Sequence, residues 1–335
     1  MHPQSLRVHY LNSGSAGRGW GELDLRHPHA YVDNGTWRAF ARGARDCAKP
    51  SVSALVVFGY SSPYSIGALL TARALGTSVY TQSDSSVTQH LARPAWLRMV
   101  KRAFLRTVFP RETRVWAIGG ANSKYWSTFG LTNQANVSFE SPVVPQLTRP
   151  THHQRPAGYP CDVAESVVLY VGRLSPEKRP MDAVRAVGAA RRRGARLRLI
   201  VAGAGDARFL HDSSGALPEW VEYLGPVEHG DLGELYSTAD VLVVPSEREA
   251  YGLVVREALQ FGLPVVATTA VTAARELCDM GWNLVPVGDS ENLATALVQA
   301  ASGGHWVPRP PRDVTEFYER ELFSTRTAEG GSDDV

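Results

Sequence analysis

The sequence predicts an α/β fold in which parallel β-sheets are covered by helices. Uninterrupted apolar runs recur along the chain, and glycines follow several of them. Helical stretches of about 10–15 residues separate the runs, a spacing that is typical of strand–helix–strand units. Strands buried on both faces have continuous rather than alternating apolar residues. The chain has 335 residues, which is enough for two domains.

The C-terminal half shows this alternation most clearly. Apolar runs predict strands over residues 166–171, 196–202, 220–224, 241–244 and 265–267. Helices are predicted over residues 179–193, 231–238 and 291–301, with a further helix that ends at residue 261. The N-terminal half gives strands over 54–58, 77–81 and 114–118, and helices over 65–74 and 95–108.

The composition indicates a soluble globular protein, with 44% hydrophobic and 20% charged residues. The formal net charge of +2 gives no support for a nucleic-acid partner. The N-terminus has no apolar core of the signal-peptide type, and no apolar run is long enough to span a membrane. Cys47, Cys161 and Cys278 stand far apart without a zinc-site spacing, so we expect buried reduced thiols in a cytoplasmic protein.

The most informative segment holds two glutamates, Glu249 and Glu257, with Gly252 between them. A strand, a short loop and a helix whose first turn carries a glycine predict an anion site. On one helix, eight residues rise about 12 Å, so the two carboxylates could bind opposite ends of an elongated ligand. A nucleotide-diphosphate sugar has hydroxyls at both ends and negative charge in the middle. Taken singly, Glu257 is also explained as an exposed helix residue and Glu249 as an N-terminal helix charge.

A second candidate site follows the strand over 166–171. Arg173 and Lys178 stand five positions apart in the loop there and can converge on a pyrophosphate. Cations in a site that excludes water stabilise a departing anion strongly. A solvated loop with surface charges is the alternative.

The sequence lacks the motifs of two other kinds of site, a bridging divalent metal and a dinucleotide cofactor. The chain has no Asp-x-Asp pair, so a bridging divalent metal has no obvious ligand set. The run Gly203-Ala-Gly205 lacks the third glycine of a dinucleotide fingerprint, which argues against an NAD enzyme. We therefore expect neither a metal nor a cofactor.

The motifs and their order resemble the C-terminal domain of retaining glycosyltransferases of family 4, which have the GT-B fold. The resemblance covers about residues 165–305 and rests on Gly172-Arg-Leu with Lys178, Ala202-Gly-Ala-Gly205, Leu224-Gly-Pro-Val227, Glu249 with Glu257, and Gly262-Leu-Pro-Val-Val-Ala267. It implies an α/β protein with two Rossmann-like domains whose parallel sheets face each other across a cleft. It also implies a hexosyltransferase (EC 2.4 class) that moves a sugar from a UDP- or dTDP-sugar to an acceptor hydroxyl with retention and without metal. The nucleotide sugar would be a substrate, and the acceptor a glycan, a lipid or a small natural product.

The same resemblance implies a domain organisation. A shortened, acceptor-binding Rossmann-like domain would cover residues 1–148, and a proline-rich linker 149–164. The domain that binds the nucleotide sugar would cover 165–312. A helix within 313–324 would return to the N-terminal domain, and a disordered tail would occupy 325–335.

Roles for individual residues also follow from the resemblance. Glu249 would bind hydroxyls of the donor sugar near the reacting carbon, and Glu257 would accept hydrogen bonds from the ribose. Arg173 and Lys178 would neutralise the departing diphosphate, which makes Glu249, Arg173 and Lys178 the catalytic set. Other donor-binding positions would be Gly172, Gly203, Gly205, Pro226, Val227, Ala250, Tyr251, Gly252 and Leu253.

The N-terminal half departs from the family pattern. Many members have a histidine after the second strand, where this chain has Gln82, Ser83 and Asp84, and these three are the candidate acceptor residues of the cleft. We interpret His90 as a surface helix residue. The helix over 95–108 is interpreted as packed on its own sheet with a basic outer face, and peripheral membrane docking is the less favoured alternative.

Two other functions are compatible with this architecture. A nucleotide-sugar epimerase would need no acceptor. A non-catalytic partner subunit would bind a nucleotide sugar without transferring it.

Overall fold

The computed structural model describes residues 8–10, 29–31, 37–83, 85, 87–131, 147, 165–211 and 216–303. The described residues divide into two compact units, one that ends at residue 131 and one that begins at residue 147. The predicted linker, C-terminal helix and tail lie outside the described residues, as do Asp84 and Cys161.

The first unit is built on a parallel sheet of three strands in the order β3-β4-β5, and β1 and β2 form a separate parallel pair. Its elements in chain order are β1 (Val8–Tyr10), β2 (His29–Tyr31), α1 (Trp37–Cys47), β3 (Ala54–Phe58), α2 (Pro63–Leu75), β4 (Ser78–Gln82), α3 (Val87–Leu91), α4 (Ala95–Val108), β5 (Arg114–Val115) and α5 (Gly119–Ser127).

Local sequence explains the bounds of α2. The hydroxyl of Ser62 accepts a hydrogen bond of 2.9 Å from the Ser65 amide and caps the helix, and Pro63 occupies its first position. The helix ends at Leu75, and the following Gly76 has a φ of 71°, a conformation that favours glycine. Around α2, the core of this unit is rich in fully buried aromatic side chains, namely Phe109, Tyr125, Trp126 and Phe129.

The second unit is built on a parallel sheet of six strands in the order β11-β10-β9-β6-β7-β8. Its elements are β6 (Ser166–Val171), α6 (Pro180–Arg192), β7 (Leu197–Ala202), β8 (Val221–Gly225), α7 (Leu232–Thr238), β9 (Val241–Val244), α8 (Leu253–Gln260), β10 (Val265–Thr268), α9 (Thr272–Leu277), β11 (Leu284–Val285) and α10 (Ser290–Ala301). The chain runs outward from β6 to β8 and then returns to place β9 on the other side of β6. The strand order therefore reverses between β6 and β9, and ligands of such sheets bind at the carboxyl ends of the strands beside this point.

The core of the second unit confirms the predicted parallel sheet. All four residues of β9 and of β10 are buried, as are the four central residues of β6. Val168 and Leu169 of β6 stand opposite Val241 and Leu242 of β9. Helices on both faces exclude water from these strands, so an alternating pattern of polar residues would leave unsolvated polar groups.

Several details differ from the prediction. The helix after β9 begins at Leu253, because Gly252 has a φ of 104° that ends any helical path from residue 246. Glu249 therefore lies in a loop, and the assumption that both glutamates share one helix is wrong. The strand predicted over 114–118 covers only Arg114–Val115, and α1, α5, α9 and β11 had no strong pattern in the sequence.

Three side chains bear on the interpretation of single residues. His90 is only 6% exposed, so its assignment to the surface was wrong. Cys47 and Cys278 are free and buried, as predicted, and burial raises the pKa of both thiols.

None of the described helices combines the length and the apolar character that a membrane span requires.

Candidate active site

The candidate site lies at the carboxyl ends of β6 and β9, where the strand order of the six-stranded sheet reverses. The loop after β6 contains a single 3-10 turn, Pro176–Lys178, and the loop after β9 leads to α8. Backbone hydrogen bonds join the two loops, since the amides of Glu247 and Arg248 donate to the carbonyl oxygen of Glu177 at 2.9 and 3.3 Å. The six-stranded sheet thus brings together two segments about 70 residues apart in the chain.

Lys178 and Glu249 form an ion pair between these loops. The ammonium group of Lys178 donates to Oε2 of Glu249, and the two side chains are 18% and 13% exposed. Such limited exposure means that water screens this pair less than an ion pair on the surface. The hydroxyl of Ser246 lies 3.4 Å from the same carboxylate oxygen. The sequence prediction that these two residues serve one site is consistent with this contact.

Arg173 does not join that pair. Its side chain is 74% exposed, and its guanidinium lies 3.6 Å from Glu177 rather than beside Glu249. Hydrogen bonds and the neighbouring cations hold the pKa of Glu177 below its ordinary value. The nearby Arg179, by contrast, has a structural role, because it adopts a φ of 51° and donates to Asp182 at 2.6 Å.

Gly203 and Gly205 allow the loop after β7 to pack against the loop after β6. A Cβ on Gly203 would lie 1.9 Å from the carbonyl oxygen of Gly172, and a Cβ on Gly205 would lie 2.5 Å from that of Leu174. Both glycines also have φ values, 153° and 143°, that other residues rarely adopt. The two glycines are therefore required by the contact between these loops. This contact lies at the edge of the sheet where the donor site is predicted.

The N-terminus of α8 follows Glu249 directly. Gly252 is required there, because a Cβ would lie 2.9 Å from a methyl group of Val271. Ala250 and Leu253 are half-buried, whereas Tyr251 is buried, and its burial raises the pKa of its hydroxyl to about 12. The first amides of a helix have no partner within it and favour an anion at this end.

Glu257 lies one turn further along α8 and is only 6% exposed. The hydroxyl of Tyr236, on α7, donates a hydrogen bond of 2.6 Å to its Oε2. Desolvation raises the pKa of Glu257, while the Tyr236 hydrogen bond and the charge of His229 oppose that shift. The alternative interpretation of Glu257 as an exposed helix residue is therefore wrong.

The remaining predicted site residues lie outside the loops that follow β6 and β9. Pro226 is exposed and Val227 half-buried in the loop after β8, the edge strand next to β7. In the first unit, Gln82 is buried at the end of β4, and Ser83 follows it, with its carbonyl oxygen accepting 2.9 Å from the Asn122 amide. Asp84 is outside the described residues.

Two residues of this site escaped the sequence analysis. Ser246 had a usable signal, since it begins the loop that carries Glu249. Tyr236 had none, because it is an ordinary apolar-face residue in a short helix, and its contact with Glu257 depends on how α7 and α8 pack.

Comparison with known proteins finds similarity over the second unit. Residues 165–302 match the family described as Glycosyl transferases group 1. The D-inositol 3-phosphate glycosyltransferase of Saccharomonospora viridis is 36% identical over 157 residues, which are 43% of this chain and 36% of that protein. The enzyme of the same name from Mycobacterium bovis is 34% identical over 44% of this chain and 29% of its own length. The chain thus spans about a third of the length of the curated relatives that it matches.

Solved structures are similar over nearly the whole chain. Sucrose-phosphate synthase from Thermosynechococcus elongatus has a TM-score of 0.63 at 18% identity, over 96% of this chain and 87% of that one. Anabaena HepE, solved in complex with UDP and glucose, has a TM-score of 0.63 at 16% identity, over 96% and 99%. At these identities the likeness concerns the fold, and it confirms the predicted GT-B class. Over residues 165–302, this chain is similar to the group 1 glycosyltransferases.

Proposed function

We propose that this protein transfers a sugar from a nucleotide-diphosphate donor to an acceptor hydroxyl. The observation that carries the proposal is the contact between Lys178 and Glu249 at the point where the strand order reverses. Sheets of this type bind their ligands at this point. A cation and a carboxylate held there, beside the N-terminus of α8, match a ligand with a diphosphate and a hydroxylated sugar.

The charges of the site suit the departure of a diphosphate. Negative charge develops on the oxygen that links phosphate and sugar as that bond breaks. The ammonium of Lys178 and the first amides of α8 would stabilise this charge, since both are fixed before the reaction begins. A diphosphate beside Lys178 would compete with Glu249 for the ammonium and would leave the carboxylate available to accept hydrogen bonds from sugar hydroxyls.

The second glutamate supports a nucleotide as the other part of the donor. Glu257 is buried one turn into α8, and a buried carboxylate needs hydrogen-bond donors. Tyr236 supplies one donor, and the ribose hydroxyls would supply others. We propose UDP or dTDP as the nucleotide, and the structurally similar Anabaena HepE was solved with UDP and glucose.

We further propose that transfer proceeds with retention and without a metal ion. The leaving diphosphate would accept the proton of the acceptor hydroxyl on the face where the new bond forms. Lys178, rather than a metal ion, would offset the charge of the diphosphate. In the part of the chain that the structure describes, no three His, Cys, Asp or Glu side chains lie close enough to hold a metal ion.

The acceptor is proposed as a hydroxylated molecule, namely a glycan, a lipid or a small natural product. Residues at the carboxyl edge of β4, Gln82 and Ser83, are the candidates that would contact it. Side chains there combine a buried amide with a hydroxyl group, which suits hydrogen bonding to sugar-like hydroxyls.

A thermal-shift screen of UDP, dTDP, GDP and ADP tests the donor site first. A ligand at 100 times its dissociation constant adds about 2.7 kcal/mol of stability, so a genuine donor nucleotide gives a clear rise in melting temperature. The nucleotide that stabilises the protein is then supplied as its glucose and galactose derivatives with a panel of acceptors. Product anomers are assigned by NMR, with and without EDTA.

Each outcome of this screen decides between functions. Transfer that keeps the anomeric configuration and continues in EDTA supports the proposal. An isomerised sugar with donor alone indicates an epimerase, and nucleotide-sugar binding without turnover indicates a non-catalytic subunit. Loss of turnover in EDTA with recovery in manganese would contradict metal-independent transfer.

A further inference from the structure

A pocket of about 310 Å³ lies in the first unit between α3 and α4. Its walls combine apolar side chains (Leu91, Ala95 and Met99) with Arg98 and Arg102 and the imidazole of His90. All of these residues belong to one unit, so the pocket depends on no other part of the chain. None of them belongs to the proposed donor site.

The pocket lies in a cationic part of the first unit, and Arg98 and Arg102 line it. Residues 87–108 contain Arg93, Arg98, Lys101, Arg102 and Arg106 but no aspartate or glutamate. Among the described residues, Arg98 donates one long hydrogen bond, of 3.4 Å, to the carbonyl oxygen of Leu91, and Arg102 forms no ion pair. Guanidinium groups without a carboxylate partner are suited to bidentate binding of phosphate.

His90 adds a polar group that is buried without a partner. The residue is 6% exposed, and its Nδ1 has no hydrogen-bond partner among the described residues. The rings of Tyr125 and Phe129 contact the imidazole at centroid distances of 5.6 and 4.9 Å, so its environment on that side is apolar. Buried polar groups are almost always hydrogen-bonded, and an exception of this kind calls for an explanation such as a ligand.

We propose that this pocket binds a phosphate monoester, with Arg98, Arg102 and His90 as donors to the phosphate oxygens. The apolar walls formed by Leu91 and Met99 would contact the substituent that carries the phosphate. Binding would give the cations of α4 the anionic partner that the described residues do not supply. The proposal does not depend on the transfer reaction, because the pocket and its residues are separate from the donor site.

The phosphate could belong to a soluble ligand or to a lipid headgroup. Apolar side chains beside the pocket are unusually exposed for their size, with Trp96 at 63%, Met99 at 69% and Val100 at 60%. Both sources offer the same phosphate chemistry, and the experiments below therefore separate them.

Calorimetric titration with inorganic phosphate in chloride buffer tests the pocket directly. Arg98→Gln combined with Arg102→Gln is expected to weaken phosphate binding at least tenfold. The matched control is Arg45→Gln, which removes an exposed arginine of α1 outside the pocket and is expected to change the affinity less than twofold. Circular dichroism establishes that each variant is folded. Equal binding by the double variant and the wild type would overturn the proposal, as would no binding by the wild type.

NMR titration of His90 provides a second readout. Phosphate that bound only to surface arginines outside the pocket would not change the pKa of His90. Desolvation lowers the pKa of His90, and the positive charges of Lys101, Arg98 and Arg93 lower it further. A phosphate in the pocket would oppose those charges, so the pKa of His90 is expected to rise in inorganic phosphate. The signal is assigned by its loss in His90→Asn. An unchanged His90 pKa in saturating phosphate would contradict the proposed geometry.

Flotation with vesicles identifies the source of the phosphate. Vesicles that contain phosphatidic acid carry a phosphate monoester, whereas pure phosphatidylcholine vesicles do not. A lipid headgroup is supported if the protein binds phosphatidic acid vesicles, if free phosphate reverses this binding and if the Arg98, Arg102 double variant does not bind. Phosphate binding without flotation supports a soluble ligand. Flotation that the double variant retains would show that the pocket is not the binding site.

Discussion

The hydroxyl of Tyr236 donates a hydrogen bond of 2.6 Å to the carboxylate of Glu257, and both side chains are buried. Tyr236 is 1% exposed and stacks on Phe261 with a centroid distance of 5.7 Å, so its hydroxyl has little freedom to leave this position. Glu257 is therefore held in one orientation on α8.

Tyr236→Phe is expected to weaken donor binding. Removing the hydroxyl leaves a buried carboxylate with one hydrogen bond fewer, which costs about 1–3 kcal/mol. The pKa of Glu257 should rise further, and the KM for the donor should increase about tenfold, equivalent to about 1.4 kcal/mol, with a smaller change in kcat. Steady-state kinetics with the natural donor and its 2′-deoxyribose analogue measure this, because the variant should discriminate less between them.

Tyr64→Phe is the matched control. Tyr64 donates to Asp46 at 3.1 Å in the other unit, so its loss also breaks a bond from tyrosine to carboxylate. We expect it to leave the donor KM unchanged. An equal rise in KM for both variants would mean that Tyr236 has no specific effect on the donor site.

Glu257→Gln is expected to change how stability depends on pH. The folded pKa of Glu257 lies above its ordinary value of 4.5, chiefly through desolvation. The folded protein therefore binds this proton more tightly than the unfolded chain does, and the contribution of Glu257 to stability falls as pH rises from 4.5 to the folded pKa. The free energy of unfolding of Glu257→Gln minus that of the wild type should become more positive across this window, measured by urea denaturation.

Asp289→Asn should change the pH dependence of the free energy of unfolding in the opposite direction. Hydrogen bonds from Asn292 hold the pKa of Asp289 below its ordinary value of 3.8, so its stabilising contribution is present above 3.8 and is lost as pH falls through the folded pKa. The same slope in both variants would indicate that groups other than Glu257 control the response.

Lys178→Ala and Glu249→Ala are each expected to lower kcat/KM at least 100-fold, which is about 2.7 kcal/mol of transition-state stabilisation. The two residues touch, so the double variant should lose less than the product of the single losses. Transfer assays at saturating acceptor measure all three. Lys124→Ala, an exposed lysine of α5, is the control, and full activity in Lys178→Ala would remove this site from the mechanism.

Arg173→Ala separates a role in transfer from a role in stability. Its side chain is 74% exposed, so we expect the free energy of unfolding to change by less than about 0.5 kcal/mol. If its guanidinium turns toward the diphosphate, kcat/KM should fall about tenfold. Arg185→Ala removes another exposed arginine, at 63%, and should change neither quantity. An active Arg173→Ala enzyme would exclude this residue from the catalytic set.

Gly203→Ala is expected to destabilise the second unit by about 3 kcal/mol or more, since a methyl group would lie 1.9 Å from the carbonyl oxygen of Gly172 and the φ of 153° is unfavourable for alanine. Gly230→Ala places its methyl group in open space and should change stability by less than about 1 kcal/mol. Urea denaturation compares the two variants. If both variants lose a similar amount of stability, the loop after β7 can move to accommodate the added methyl group at little cost.

Much of the second unit could be predicted from local patterns. The bounds of β6 and β9 agree with the apolar runs, because a strand buried on both faces needs no polar residue until it leaves the sheet. The helix that carries Glu257 was predicted too long, since the sequence shows that Gly252 is a glycine but not that its φ is 104°. His90 was misplaced because its burial depends on the rings of Tyr125 and Phe129, which lie 35 or more residues further along the chain.

The sequence by itself determined the parallel α/β class, the order of the loops and the residue types of the proposed donor site. These properties depend on which side chains tolerate burial and which carry charge, and both are written in the residues. Only the tertiary structure decided that Lys178 meets Glu249, that Arg173 faces water, and that Tyr236 holds Glu257. Those contacts join residues that are far apart in the chain, and their geometry depends on how whole strands and helices pack.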